Sequence, residues 1–445
     1  MYNQGETIYA PLTVYGKCSI YVIRISGTKT LDCLKMLGVL KKLQHRQATV
    51  CDINDGNSLL DEALITYFSA PNSFTGEDVC EICLHCSEYI IKRVFEILSS
   101  IKNVRLAEHG EFSRRAFLNG KIDLMQAESI PDLIDSKTEL QHRKALEQLK
   151  GKNSKFYENL RQKILDILTN LEVLIDFPED DIDPSLMNNA NVKVNNTIEY
   201  IENLLNDNNA SSKLKNGVNI SIIGEPNAGK SSLLNYISGE DVAIVSDIAG
   251  TTRDILHKSL YINGIPVTFY DTAGIRATDD KVENEGVNRA IQNARNSDLK
   301  ILLIEPHNLN INQNILDLVD SKTLVVVNKI DEVKNIDNVK NIFPDKEILT
   351  ISVKNGTNIC DLMNNIETFI NRNITPYTDT MITNERYRIE LMNSLNMLKS
   401  IDFSAPIEII SEYVRRASFF IGKITGIINT DDVLNSIFSK FCIGK

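Results

Sequence analysis

The spacing of apolar positions changes character along the chain. Up to about residue 120, short β-compatible runs (Ile20-Tyr21-Val22-Ile23-Arg24-Ile25 and Ala63-Leu64-Ile65-Thr66-Tyr67-Phe68) are mixed with helical stretches such as 88–98, the pattern of an α+β domain. From 121 to 214 the period is that of helices. Leu160, Ile164, Leu165, Ile167, Leu168, Leu171 and Leu174 recur at three- and four-residue steps and make one broad apolar stripe. Pro178 and Pro184 bracket an acidic stretch that stops this helix; a second helix follows, and the polar segment 206–216 reads as a linker. Strand candidates at 218–223, 266–270, 300–304, 324–327 and 348–351 then alternate with helical segments, which predicts a doubly wound, mainly parallel sheet. Beyond Pro376 the pattern is helical again. The expected organisation is multidomain α/β: an α+β domain at 1–120, a helical domain from 121–214 and 375–445, and an α/β domain at 215–374 inserted into it.

Composition narrows the class. With 445 residues, 42% hydrophobic and 24% charged, the chain has ample material for buried cores. No run approaches the ~18 apolar residues of a membrane span, and Glu6, Pro11 and Lys17 interrupt any leader-like segment, so a cytoplasmic protein without membrane attachment is expected. The net charge of −11 argues against tight RNA binding through overall charge, leaving a local basic patch or a partner to supply it. Eight cysteines without a secretion signal suggest reduced thiols. Cys80, Cys83 and Cys86 have the spacing of part of an iron–sulfur ligand run, but Asp78 to Leu84 reads as a strand, and a strand sends Cys80 and Cys83 to opposite faces.

The chemistry concentrates between residues 224 and 354. Gly224-Glu225-Pro226-Asn227-Ala228-Gly229-Lys230-Ser231 fits G-x-x-x-x-G-K-[ST] after an apolar strand and before a helix opening at Ser232. Backbone N–H groups there wrap phosphates, Lys230 reaches the β- and γ-phosphates, and Ser231 binds Mg²⁺. Asp271-Thr272-Ala273-Gly274 follows the next strand, with Asp271 placed for the magnesium shell and the Gly274 N–H for the γ-phosphate. Asn328-Lys329-Ile330-Asp331 supplies a carboxylate that accepts from the ring N–H and exocyclic amine of guanine, a donor pair adenine lacks. Ser352-Val353-Lys354 backs the base. Thr251 or Thr252 sits where a switch residue reaches Mg²⁺. Each pattern alone fits an ordinary turn; their order and spacing predict a Ras-like P-loop GTPase domain. Ile275 stands where many small GTPases orient water with glutamine, so hydrolysis needs another group, with Asp279, Asp280, Glu283 and Glu285 downstream.

Three further stretches, Phe74 to Asp78, Gly110 to Leu124 and Phe441 to Lys445, together with these motifs, make the chain resemble the tRNA modification GTPases of the MnmE or TrmE family over nearly its whole length. The resemblance implies GTP hydrolysis in a homodimer that forms a heterotetramer with a flavin-dependent partner, MnmG (GidA). The complex adds an aminomethyl or carboxymethylaminomethyl group at carbon 5 of the tRNA wobble uridine. It implies a GTP site of Asn227, Ala228, Gly229, Lys230, Ser231, Ser232, Ser246, Asp247, Ile248, Ala249, Gly250, Thr251, Thr252, Asp271, Thr272, Ala273, Gly274, Asn328, Lys329, Asp331 and Ser352. Mg²⁺ falls to Ser231 and Thr252. K⁺ falls to Asn227, Ser246, Ile248 and Thr251, standing where an arginine finger would and activating a pair of nucleotide domains. Glu283 matches the water-orienting glutamate, against the alternative of a solvated carboxylate at a helix start. The N-terminal domain resembles a dimer-forming module that binds 5-formyltetrahydrofolate through Arg24, Glu81, Lys121 and Lys445, with Cys442 a candidate catalytic thiol or else a buried structural one.

The chain departs from the family where glycines are usual, with Leu12 to Ser19 after the first strand and His85-Cys86-Ser87 later, and Ser246 replaces a threonine. Cys442-Ile443-Gly444-Lys445 fits a prenylation signal badly, with Gly third and Lys last. The alternative function is an assembly GTPase docking on ribosomal RNA, which the acidic balance and the terminal tetrapeptide disfavour.

Overall fold

The computed structural model describes residues 5–56, 58–176, 185–206, 213, 217–239, 257–271, 291–333, 336–373, 382–428 and 431–444. It divides into two compact units, one of residues 1–135, 145–194 and 396–445, the other of 136–144 and 195–395.

The first unit holds a six-stranded sheet: β1 Thr7–Pro11, β2 Ile20–Ser26, β3 Ala48–Asn54, β4 Leu59–Phe68, β5 Val79–His85 and β6 Val104–Leu106, in the order β3-β4-β5-β2-β1-β6. All pairs are antiparallel except β1–β6. Alternation sorts the side chains. Tyr21, Ile23 and Ile25 of β2, Ala63 and Ile65 of β4, and Cys80, Ile82 and Leu84 of β5 form one core. The helices Thr30–Met36 and Glu88–Ser99 cover that face with Leu34, Val94 and Leu98. Cys80 is in this core and Cys83 is on the opposite face, so the strand reading of the cysteine run holds. The helical stripe read around 160–174 lies in the helix Lys152–Asp176, which buries Leu160, Ile164, Ile167, Leu168 and Leu171 and packs along the helix Ile407–Thr425.

The second unit is built on β7 Val218–Ile223, β8 His257–Ile262, β9 Ile265–Asp271, β10 Leu299–Ile304, β11 Thr323–Val327 and β12 Ile348–Thr350, ordered β12-β11-β10-β7-β9-β8. Five strands are parallel and β8 pairs antiparallel with β9. Successive residues of the wholly buried β10 feed two cores: Ile301 and Leu303 join Ile220, Ile222, Leu233, Phe269 and Leu362 on one face, while Leu302 and Ile304 join Ile223, Val325, Val327 and Ile315 on the other. Burial on both faces explains the near-continuous apolar runs. The five expected strands are present with ends shifted by at most a residue. The sixth, β8, was not expected. Its Ser259 and Tyr261 interrupt the apolar pattern, yet Asn263-Gly264, both at positive φ, is the tight-turn dipeptide that joins it to β9.

Candidate nucleotide site

Strand order reverses at β7, which has β9 on one side and β10 on the other, and open α/β sheets bind ligands at such a point beyond the strand C-termini. The loop 224–229 leaves β7 there and enters the helix Lys230–Gly239. Gly224 has φ +150° and any Cβ would drive into the Leu303 carbonyl; at Gly229, φ +98°, it would strike the Asn328 amide. Only glycine fits either position. Asn227, with φ +67°, turns the loop between them.

Lys230 is buried, its ammonium donating to the carbonyls of Gly224 (2.9 Å) and Glu225 (3.0 Å). The cation is thus held inside the loop whose backbone N–H groups and helix dipole already favour anions. Ser231 donates to Asp271 Oδ2 at 2.5 Å, joining the phosphate loop to the end of β9. Asp271 is almost wholly buried, and among the described residues its Oδ1 has no hydrogen-bond partner. A hydroxyl and a buried carboxylate with an unmet oxygen are hard donors suited to a magnesium ion.

The Asn328 to Asp331 loop is organised by Asn328, whose amide donates to Ala228 O (2.8 Å) and accepts from Val353 N (3.1 Å). One side chain therefore fixes the phosphate loop and the 352–354 loop together. Lys329 takes the left-handed conformation (φ +59°) and pairs with Glu305 at 2.7 Å. Ser352, wholly buried, donates to Asp331 Oδ1 at 2.6 Å. That hydrogen bond, assisted by Lys354 and Lys329, holds the Asp331 carboxyl below its ordinary range. Asp331 is thus ionised, anchored through one oxygen and open at the other, the arrangement needed to accept from two adjacent N–H donors. These loops line a cavity of about 1120 Å³ with Asn227, Gly229, Lys230, Asp331 and Ser352 on its wall, along with Tyr236.

Ser246, Asp247, Ile248, Ala249, Gly250, Thr251, Thr252, Thr272, Ala273, Gly274, Glu283 and Lys445 lie outside the described residues. Two contributors went unread in the sequence. Glu305 braces Lys329 from the end of β10, and Glu225 accepts from Asn312 N at 2.6 Å. Both are tertiary contacts with no local motif; only the position of Glu305 directly after an apolar strand hints at a ligand-facing end.

In the first unit, Arg24 and Glu81 are cross-strand partners on β2 and β5, joined at 2.7 Å. The guanidinium lies over the rings of Phe74 (5.2 Å) and Phe112 (5.5 Å). Lys121 donates to Pro71 O at 2.7 Å, on the loop that carries Phe74. The three stretches singled out in the sequence converge here. Arg115 bonds Glu77 (2.9 Å), Asn119 bonds Thr75 O (2.7 Å), His109 Nδ1 meets Phe441 O (2.8 Å), and His109 bridges Ile443. Gly110, at φ +64°, has no room for a Cβ against Phe438 O. Burial would raise the Glu111 carboxyl, but Arg105, the Glu108 N–H and Arg115 hold it below its ordinary value. Cys442 is exposed, which overturns its reading as a buried structural cysteine.

A glycine-rich strand–loop–helix turn at the sheet's switch point, coupled to an acidic base-reading loop, defines a P-loop nucleotide-binding protein of the GTPase class. Residues 7–121 match the family model described as GTP-binding protein TrmE N-terminus, and 124–442 match that of the MnmE helical domain. The proteins called tRNA modification GTPase MnmE from Rickettsia canadensis and Wolbachia pipientis are 43% and 42% identical over 99% and 100% of this chain, and 100% of each of those proteins is covered. That of Ehrlichia chaffeensis is 41% identical over 99% of this chain and all of its own length. The chain belongs to the MnmE (TrmE) family of tRNA modification GTPases.

Proposed function

We propose that this protein hydrolyses GTP to drive modification of carbon 5 of the tRNA wobble uridine, acting with a flavin-dependent MnmG-type partner. The observation that carries the nucleotide reading is the Asn328 side chain tying Ala228 to Val353, because it sets the phosphate loop and the Asp331–Ser352 base reader as one piece. In this reading Gly229, Lys230, Ser231 and Ser232 hold the phosphates, while Asn328, Lys329, Asp331 and Ser352 hold guanine. Ser231 and Asp271, with Thr252, hold Mg²⁺, which when bound neutralises charge on the β- and γ-phosphate oxygens. Lys230 leaves the Gly224 and Glu225 carbonyls for phosphate oxygen, keeping its charge inside the loop. Glu283 orients water in place of the missing glutamine.

Asn227, on the cavity wall, holds K⁺ with Ser246, Ile248 and Thr251, and two nucleotide domains pair across it. The domain division at 120, 214 and 375 belongs to the same reading. Homodimerisation through the N-terminal domain is supported by an apolar row on the open sheet face: Val50 pairs with Leu64 and Leu64 with Cys83, and both Val50 and Leu64 are exposed. The folate reading is supported by the cationic and aromatic surface of Arg24 and Phe74 beside Glu81 and Lys121, with Cys442 as a positioning or catalytic thiol.

The test is GTP turnover by the full chain in potassium against sodium at equal ionic strength. Marked potassium activation supports the Asn227 cation site and domain pairing. Equal rates reject both, and turnover absent in either salt rejects the hydrolase reading.

A further inference from the structure

Two cysteines stand where the chain departs from its family's glycines, and they meet in space. Cys18 ends the exposed loop between β1 and β2; Cys86 directly follows β5. Their sulfurs are 3.0 Å apart, with Cys18 donating. The backbones are also joined, Cys86 N donating to Ser19 O at 3.2 Å, and Cys86 Sγ lies 3.4 Å from Gly16 O. Cys18 is exposed and Cys86 partly so. Cys33, Cys51 and Cys80 are buried in the sheet core, and burial pushes the Cys33 thiol up to about 11 and Cys80 well above its ordinary value. Among the described residues no other two cysteines hydrogen-bond each other.

We propose that Cys18 and Cys86 are a modification site, a thiol pair that closes reversibly to a disulfide with a low-molecular-weight disulfide of the glutathione class as oxidant. Cys86, the hydrogen-bond acceptor, attacks as thiolate. The glutathione S–S bond breaks, one glutathione leaves as thiolate and takes up a proton, and a mixed disulfide remains on Cys86. Cys18 gives up its proton and attacks that sulfur, forming the Cys18–Cys86 bond and releasing the second glutathione. Two protein thiols lose two electrons and two protons, and glutathione disulfide gains them as two thiols. The sulfurs must approach from 3.0 Å to about 2.05 Å, a small shift for an exposed loop. The bond pins residues 14–17 to the end of β5. That loop carries Tyr15 onto a cavity of about 550 Å³ that Tyr9 and Tyr21 also line, so the clip sets how this wall stands.

The test is equilibration of the full chain in glutathione buffers of graded redox state, acid quenching, alkylation and unreduced peptide mapping. A Cys18–Cys86 linked peptide is expected, half-formed at about tenfold less glutathione disulfide than half-modifies the isolated Cys360, because closure is intramolecular. Cys18→Ser, a surface change, is expected to leave glutathione trapped on Cys86. Tryptic cleavage after Lys17 should slow on oxidation and recover on reduction. Separate glutathione adducts on Cys18 and Cys86 without a link, or both thiols unmodified while Cys360 reacts, overturns the proposal; unchanged cleavage after Lys17 in the linked form overturns the pinning of the loop.

Discussion

The two sheets place their functional groups in opposite ways. The parallel sheet is buried on both faces, so the polar side chains standing on it are paired, Ser221 with Ser297 and Lys300 with Asp320, and its chemistry sits in the loops past the strand ends. There the groups are few, and each is held by a loop: one lysine among carbonyls, one serine on a carboxylate, one asparagine between loops. The antiparallel sheet covers only one face. Its open face carries Arg24 and Glu81 in mid-strand, and the neighbouring helix Glu111–Leu118 enters through a buried ion network of Arg105, Glu111, Arg115 and Glu77. The lesson is that one unit is specified by backbone geometry and the other by paired charge, and the two fail differently.

The largest expected effect on turnover is at the strand end. Asp271→Ala removes the buried carboxylate facing Ser231 and should lower GTP turnover by about 10²–10³-fold, read as kcat in magnesium, with thermal stability little changed. A variant that unfolds instead would make Asp271 a structural residue. Next is Glu111→Gln, which breaks a pair buried on both sides and should cost roughly 3–5 kcal/mol in denaturant unfolding of the first unit while GTP affinity stays intact.

The same carboxyl sets an acid limit. Its folded value lies below the ordinary 4.5, so its stabilisation is fully present above that pH and is lost as pH falls through the folded value. Wild type should lose stability there, and Glu111→Gln should show a flatter acid limb in pH-dependent melting. Smallest is Ser352→Ala, which frees Asp331 Oδ1. Guanine affinity should fall by no more than roughly tenfold in GDP titration. The Asp331 carboxyl should also titrate closer to 3.8, so affinity should fall off earlier on acidification than in wild type.

The legibility of these regions follows from the same contrast. Strand β7 was readable to the residue because an apolar run ends at the glycine-rich loop, and the loop's own spacing states the chemistry. Lys230, Ser231, Asp271, Asn328 and Asp331 were legible because each belongs to a motif built around a local turn. Strand β8 escaped because an edge strand needs apolar residues on only one side, although Asn263-Gly264 marked its turn. Glu305 and Glu225 escaped because their partners lie 24 and 87 residues away. In the first unit the conspicuous stretches at 74–78, 110–124 and 441–445 could be seen but not assembled. That they meet through Glu77–Arg115, Thr75–Asn119 and His109–Phe441 is a property of packing, invisible to any local period.

The central claim is that Asp331, ionised and anchored by Ser352, makes this a guanine-specific site, and the most direct measurement is competitive titration of wild type and Asp331→Asn with GTP and xanthosine triphosphate. Wild type should prefer GTP, and the variant should lose about 10- to 100-fold of GTP affinity, because an amide cannot accept both guanine N–H donors. The preference should reverse toward xanthosine triphosphate, whose C2 carbonyl accepts the new amide donor. Unaltered discrimination in Asp331→Asn would contradict it.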